Sequence, residues 1–126
     1  MDINFDDIKK KFGKKAKDYS TDKQKTKELL NDAIRKAKSK GPLEEIWDNL
    51  QLLFGIIRDW ISGDYKEVPT TSIIVIIIGL LYLVSPIDLI PDFLPFGLVD
   101  DAMVLGLIIK QVKNDLDKYK EWLENR

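Results

Sequence analysis

The longest uncharged segment of the chain lies between Glu67 and Asp88. From Ser72 to Val84 apolar side chains occur on every side of an ideal helix, which is unusual for a surface helix. A helix over residues 68–87 is about 30 Å long, which matches the hydrocarbon core of a bilayer. The pattern therefore favours a transmembrane helix. A helix buried by its neighbours in a soluble bundle is a second interpretation, and the β-branched residues also permit a strand.

A second apolar segment starts near residue 98, and its apolar residues recur at steps of four and three, the seam spacing of a coiled coil. The seam consists of Leu98, Ala102, Leu105, Ile109, Val112, Leu116, Tyr119 and Leu123. The part from Ala102 to Ile109 is apolar on every face, whereas the part from Lys110 is amphipathic. The apolar part is only about 12 Å long, too short to cross a bilayer. We predict one helix over 98–123 that forms a hairpin with the first.

The segment between these helices contains three prolines. Ser85 and Asp88 have the spacing of a capping box, and Pro86 suits the first helical turn, where its missing amide is not needed. Pro91 prevents that turn from extending, because its ring clashes with the preceding turn. We therefore predict an irregular turn between the two helices. The residues that shape it are Ser85, Pro86, Pro91, Pro95 and Gly97.

Four carboxylates belong to this turn, namely Asp88, Asp92, Asp100 and Asp101. Carboxylates crowded in apolar surroundings repel one another unless they hold a cation or share protons, so a divalent ion such as Ca²⁺ or Mg²⁺ is one hypothesis. The spacing is not that of an EF-hand loop. Local roles explain the same residues, since three of them suit helix caps and Asp92 suits the turn amides. The four residues are the candidate ion or partner site.

Residues 43–61 form an amphipathic helix in front of the hairpin. Its apolar face comprises Ile46, Leu50, Leu53, Phe54, Ile57 and Ile61. Trp47 and Trp60 lie near its two ends. Such a placement is found in helices that lie along a membrane interface, and equally in core helices with large aromatic side chains. The sequence leaves both interpretations open.

Charge is sorted along the chain, although the total is nearly balanced at 20 basic and 21 acidic residues. Residues 1–41 carry 13 basic and 7 acidic side chains, and residues 42–126 carry 7 and 14. The apolar stripe before residue 41 is thin, so we predict a basic, weakly packed helical arm over 1–41 and a hairpin domain over 42–126. The arm suits contact with an anionic membrane surface, or with the acidic body of the protein.

The composition excludes several kinds of chemistry. The chain has no cysteine and no histidine, which removes disulfides, thiolate chemistry, the usual zinc sites and histidine-based acid/base catalysis. Gly97 and Gly106 are isolated and do not form a phosphate-binding loop. Nucleic-acid binding is not expected, because it would depend on the lysine-rich arm alone while the acidic body repels phosphate. Metal-assisted hydrolysis at the Asp cluster is the one enzyme hypothesis left, and we do not expect an enzyme.

The turn contains the sequence YLVSPIDLIPDFLP at residues 82–95, followed by Gly97 and by Asp100 and Asp101. This sequence resembles the signature of the YkvA-like family, the domain of unknown function numbered 1232, over about residues 64–123. The resemblance implies a small bacterial protein built as a membrane-associated helical hairpin, and it brings no reaction or cofactor. The positions that match are Pro86, Asp88, Pro91, Asp92, Pro95, Gly97, Asp100 and Asp101.

Together the patterns predict an all-α protein, an apolar helical hairpin with a Pro/Asp-rich turn preceded by amphipathic helices. Our first hypothesis is a non-enzymatic protein of the cell membrane, a regulator or immunity-type protein. It would contact lipid, a membrane protein or a second copy of itself, with its amino terminus in the cytoplasm under the positive-inside rule. The alternatives are a soluble cytoplasmic helical bundle that binds partners and a divalent-ion-binding protein. No cofactor other than a divalent cation is expected.

Overall fold

The computed structural model describes residues 5–39, 46–84 and 101–126 of the chain. All regular secondary structure in these ranges is helical, so the all-α prediction is confirmed there. The helices are α1 (Phe5–Ser20), α2 (Lys23–Ser39), α3 (Trp47–Ser62), α4 (Thr70–Val84), α5 (Asp101–Gln111) and α6 (Lys113–Glu124). The strand interpretation of the uncharged segment is wrong over Thr70–Val84. Residues 85–100 of the predicted Pro/Asp-rich turn lie outside the described residues.

Helix α4 is the centre of the fold, and α1, α2, α3 and α5 all pack against it. Ile76, Ile77 and Leu83 have no exposed surface, because apolar side chains on all sides of α4 find partners on the surrounding helices. The helix begins at Thr70 rather than at residue 68. Its first turn is closed by the amide of Ile73, which donates to the carbonyl of Pro69 at 3.1 Å. The arrangement is that of a central helix covered by its neighbours.

The sequence favours a transmembrane helix over residues 68–87. Among the helices of the three described ranges, none has both the length and the apolar character that crossing a membrane requires.

Helices α1 and α2 cover α4 and contact each other. Ile8, Phe12 and Ala16 recur every four residues on α1, and all three are buried. The hydroxyl of Thr26, which is fully buried, donates to the carbonyl of Tyr19 at 2.7 Å and so connects the end of α1 to α2. The segment predicted to be a weakly packed arm therefore contributes to the core over residues 5–39.

Helix α3 carries the apolar face that the sequence predicts, and it ends one residue later, at Ser62. Trp47 and Trp60 are partly buried and pack against the core. This agrees with the interpretation of α3 as a core helix with large aromatic side chains. The helix stops at Gly63, whose φ of 85° lies in the left-handed region. The amide of Gly63 donates to the carbonyl of Trp60 at 3.2 Å, as expected for a glycine at a helix end.

The prediction of one continuous helix over residues 98–123 is wrong, because the helix is interrupted at Val112. The amide of Val112 donates a hydrogen bond to two carbonyls, that of Ile108 at 3.3 Å and that of Ile109 at 3.2 Å. Helix α5 packs mainly on α4 and also contacts α3, whereas α6 packs on α3. Helix α5 comes very close to α4 at Gly79, where an added Cβ would lie 3.2 Å from the Ile108 side chain.

Candidate functional site

Asp101 is the one candidate site residue from the turn that lies within the described residues, and it begins α5. Asp88, Asp92 and Asp100 lie outside them, as do Ser85, Pro86, Pro91, Pro95 and Gly97. Divalent-ion binding by the four aspartates therefore stays a prediction. Across residues 5–39, 46–84 and 101–126, no group of three acidic side chains is arranged to hold a metal ion.

A groove of about 590 Å³ lies between α2 and α3. The residues that line it are Lys23, Gln24, Lys27, Leu30, Asn31, Ile34, Arg58, Ile61 and Ser62. Among these described residues three side chains are cationic, three are aliphatic and none is a carboxylate. Pockets that bind small molecules usually enclose roughly 300–1,000 Å³. The groove therefore has the size and the mixed lining of a ligand site.

The α2 side of the groove is one stripe of the helix. Lys23, Lys27, Leu30 and Ile34 follow one another at steps of four, three and four, so they lie along one face. The stripe is cationic in its first half and aliphatic in its second half. Leu30 is buried, whereas Ile34 keeps part of its surface exposed. A molecule lying along this stripe would contact charge at one end and hydrocarbon at the other.

The three cationic side chains of the groove have different surroundings. The Nζ of Lys23 lies 5.1 Å from the centre of the Trp60 ring, within the range of a cation–π interaction. The Nε of Arg58 lies 3.7 Å from an oxygen of Asp59, while its side chain stays 70% exposed. Lys27 is exposed to solvent. All three cationic residues line the groove and are exposed to solvent.

Helix α1 presents a second cationic surface, which we name the α1 lysine face. It consists of Lys9, Lys10, Lys11, Lys14, Lys15 and Lys17, all exposed. The apolar face of α1 is occupied by α4, and Lys10, Lys14 and Lys17 lie opposite that face. Lys9, Lys11 and Lys15 lie toward its two sides. Residues 5–39 together carry 12 basic and 6 acidic side chains. The layer formed by α1 and α2 is thus the basic side of the protein.

A buried carboxylate, Asp59, connects α3 to α6. Its side chain accepts a hydrogen bond from the hydroxyl of Tyr119, which has no exposed surface. The ring of Tyr119 packs against Tyr65 at 5.1 Å and Trp122 at 5.8 Å between centres. Gly55 provides the space for it, since an added Cβ would lie 2.8 Å from the Tyr119 hydroxyl. We interpret this cluster as a structural connection, because both polar groups already have partners.

Both tyrosines of this cluster have perturbed pKa values. Burial raises the pKa of Tyr119 above its usual value, and the hydrogen bond and negative charge of Asp59 raise it further. Burial also raises the pKa of Tyr65, with smaller contributions from the charges of Glu67 and Asp115. Both side chains therefore stay neutral in the folded protein at a pH where the unfolded chain loses these protons.

Alkaline pH should destabilise the fold through these tyrosines. Because their pKa values are raised in the folded state, their contribution to stability is complete below about pH 10 and is lost as the pH rises further. We expect the urea midpoint to fall progressively as the pH rises above about 10, the usual pKa of tyrosine in an unfolded chain. The fall should be less steep in Tyr119→Phe, which lacks one of the two ionisations. Equal slopes for the two proteins would contradict this assignment.

Comparisons with known proteins agree with the resemblance carried by the turn. The model of a family described as a protein of unknown function, DUF1232, matches residues 72–107, which include most of α4 and the first part of α5. The uncharacterized membrane protein YkvA of Bacillus subtilis (strain 168) is 39% identical over 75 residues, which is 59% of this chain and 71% of that protein. No solved structure matches the chain. The chain therefore belongs to the YkvA-like family of DUF1232 proteins.

Proposed function

We propose that this protein is a non-enzymatic helical module that attaches to an anionic membrane surface through the basic layer of α1 and α2. The observation that carries the proposal is the α1 lysine face. Six lysines are exposed on a helix whose apolar side is already covered by α4, so the core does not use them. The name of the Bacillus subtilis relative, a membrane protein, supports the same assignment.

The size of the electrostatic attraction is sufficient for reversible attachment. A lysine held close to an anionic leaflet contributes about 1 kcal/mol, and several of them act together. This attraction is screened within about 10 Å at 0.1 M salt, so attachment should depend strongly on ionic strength. Helix α6 carries exposed acidic residues, Asp117, Glu121 and Glu124, but also exposed Lys113, Lys118 and Lys120, so it lacks the basic excess of residues 5–39. This placement of charge favours binding with the α1 lysine face toward the lipid.

The proposal also assigns a side of the membrane. The cytoplasmic leaflet carries the anionic lipids that attract basic segments, so residues 5–39 would lie in the cytoplasm against the cell membrane. A regulatory or immunity-type role would use the same attachment and add a membrane protein or a second copy as partner. Catalysis is not proposed, because the chain lacks the histidine and cysteine side chains that most acid/base and nucleophilic mechanisms use.

Vesicle sedimentation tests the attachment. The wild-type protein should pellet with vesicles of phosphatidylglycerol and phosphatidylcholine at low salt, and not with phosphatidylcholine alone. Lys10, Lys14 and Lys17 point directly away from the buried face of α1. The triple variant Lys10→Gln/Lys14→Gln/Lys17→Gln should bind roughly 100-fold more weakly, from about 1 kcal/mol for each lysine.

The matched control removes three exposed lysines from other helices, as Lys110→Gln/Lys118→Gln/Lys120→Gln. This control has the same net charge as the triple variant and should bind like the wild type. If both variants lost affinity equally, net charge rather than the α1 lysine face would control binding. Protein that stays with the vesicles after a high-salt wash would contradict attachment by surface charge.

A further inference from the structure

We infer that the groove between α2 and α3 binds one phospholipid with an anionic headgroup, a step that depends on the proposed attachment to an anionic membrane. The groove and the α1 lysine face share the same basic layer, since α2 packs beside α1 and lines the groove. The α1 lysine face would attract the lipid surface in general. The groove would hold an individual lipid from it.

The charge of the lining selects an anion. Lys23, Lys27 and Arg58 are contributed by two helices and face one space, and none of the described residues that line it is a carboxylate. Lys23 lies over the ring of Trp60, which restricts its side chain before any ligand binds. Ammonium and guanidinium groups form their strongest hydrogen bonds with charged oxygens such as those of a phosphate.

The aliphatic part of the lining selects a lipid over a free phosphate. Leu30, Ile34 and Ile61 continue the groove beyond the cations, and the two isoleucines keep part of their surface exposed. An inorganic phosphate would gain nothing from these side chains, whereas the first carbons of an acyl chain would cover them. A volume of about 590 Å³ holds a headgroup and the beginning of a chain. The remainder of the lipid would stay in the bilayer.

Short-chain lipids below their micelle concentration test the groove without a membrane. Dihexanoyl phosphatidylglycerol should bind saturably, and the amide NMR signals that shift should be those of residues 23–34 and 58–62. Dihexanoyl phosphatidylcholine should bind at least about tenfold more weakly, because it lacks the net negative charge. Inorganic phosphate at the same concentration should produce no saturable shift of these signals.

Charge reversal at an exposed position separates the groove from the rest of the basic layer. Lys27→Glu should weaken binding of the short-chain anionic lipid about tenfold, while Lys38→Glu, the same change outside the groove on the same helix, should leave it within about twofold. Both lysines are exposed, so both variants should keep the wild-type circular dichroism spectrum. The triple α1 variant should bind the short-chain lipid normally, because its substitutions lie outside the groove.

The outcomes distinguish this inference from the proposed function. Vesicle binding by the wild type without saturable binding of the short-chain anionic lipid would overturn the lipid site and leave the attachment standing. Competition by inorganic phosphate at equal concentration would overturn the assignment of a lipid as the occupant. Saturable binding of the short-chain lipid together with no binding to anionic vesicles would refute the attachment alone.

Discussion

Replacing Phe12 by alanine is expected to destabilise the whole fold by about 3–5 kcal/mol, the usual cost of removing a buried aromatic side chain. Phe12 is only 3% exposed, and its ring packs edge-on against Tyr82 of α4 with centres 6.3 Å apart. Because α1 shares the core with α4, the loss should appear in a single cooperative transition rather than in local melting of α1. Urea unfolding followed by far-UV circular dichroism and by tryptophan fluorescence measures it.

The control for this variant is Lys11→Ala at the neighbouring, exposed position, which should change stability by less than about 0.5 kcal/mol. A Phe12→Ala protein whose tryptophan fluorescence transition stays at the wild-type midpoint would show that α1 is a separate arm. The fluorescence comes from Trp47, Trp60 and Trp122, which lie on α3 and α6. A shift of its midpoint therefore shows that a change in α1 destabilises other helices.

Asp59→Ala is expected to cost about 2–3 kcal/mol, because it leaves the buried hydroxyl of Tyr119 without an acceptor. Tyr119→Phe should cost a similar amount, since it removes the donor from a carboxylate that is only 7% exposed. The double variant should be destabilised by less than the sum of the two, because neither unsatisfied group remains. Thermal and urea unfolding of the wild type, the two single variants and the double variant at pH 7 complete a double-mutant cycle. Strict additivity would mean that the two side chains do not interact.

The sequence predicts the central helix well and its surroundings poorly. The uncharged run identifies α4, because side chains such as Ile76 and Ile77 must avoid water wherever the helix lies. Hydropathy alone does not distinguish lipid from protein as the apolar environment. That distinction depends on partners distant in the chain, such as Phe12 against Tyr82. Gly13 and the thin apolar stripe also make α1 look weaker than its packing shows.

The groove and the carboxylate at Asp59 are harder to predict because each combines residues from two helices. The stripe of Lys23, Lys27, Leu30 and Ile34 is visible in the sequence, but only the position of Arg58 on α3 turns it into a groove. Asp59 could have been noticed as a carboxylate among apolar residues. Its partner, 60 residues later, could not be identified by pattern.

The interruption at Val112 has no signal in the sequence at all, since neither glycine nor proline occurs near it on the carboxyl side. Both halves have good helical patterns, and a regular seam of apolar residues runs through the position. The two halves differ in their packing partners, since α5 packs mainly on α4 and α6 packs on α3. A single-helix pattern does not contain that information.

The close approach at Gly79 has a consequence for the two helix ends on either side of residues 85–100. A hydrogen atom at this position, in place of a methyl group, permits Ile108 to approach the backbone of α4. The separation between Val84 and Asp101 therefore depends on how closely α4 and α5 pack at a contact more than a helical turn away from either residue. A bulkier residue 79 would push α5 away from α4.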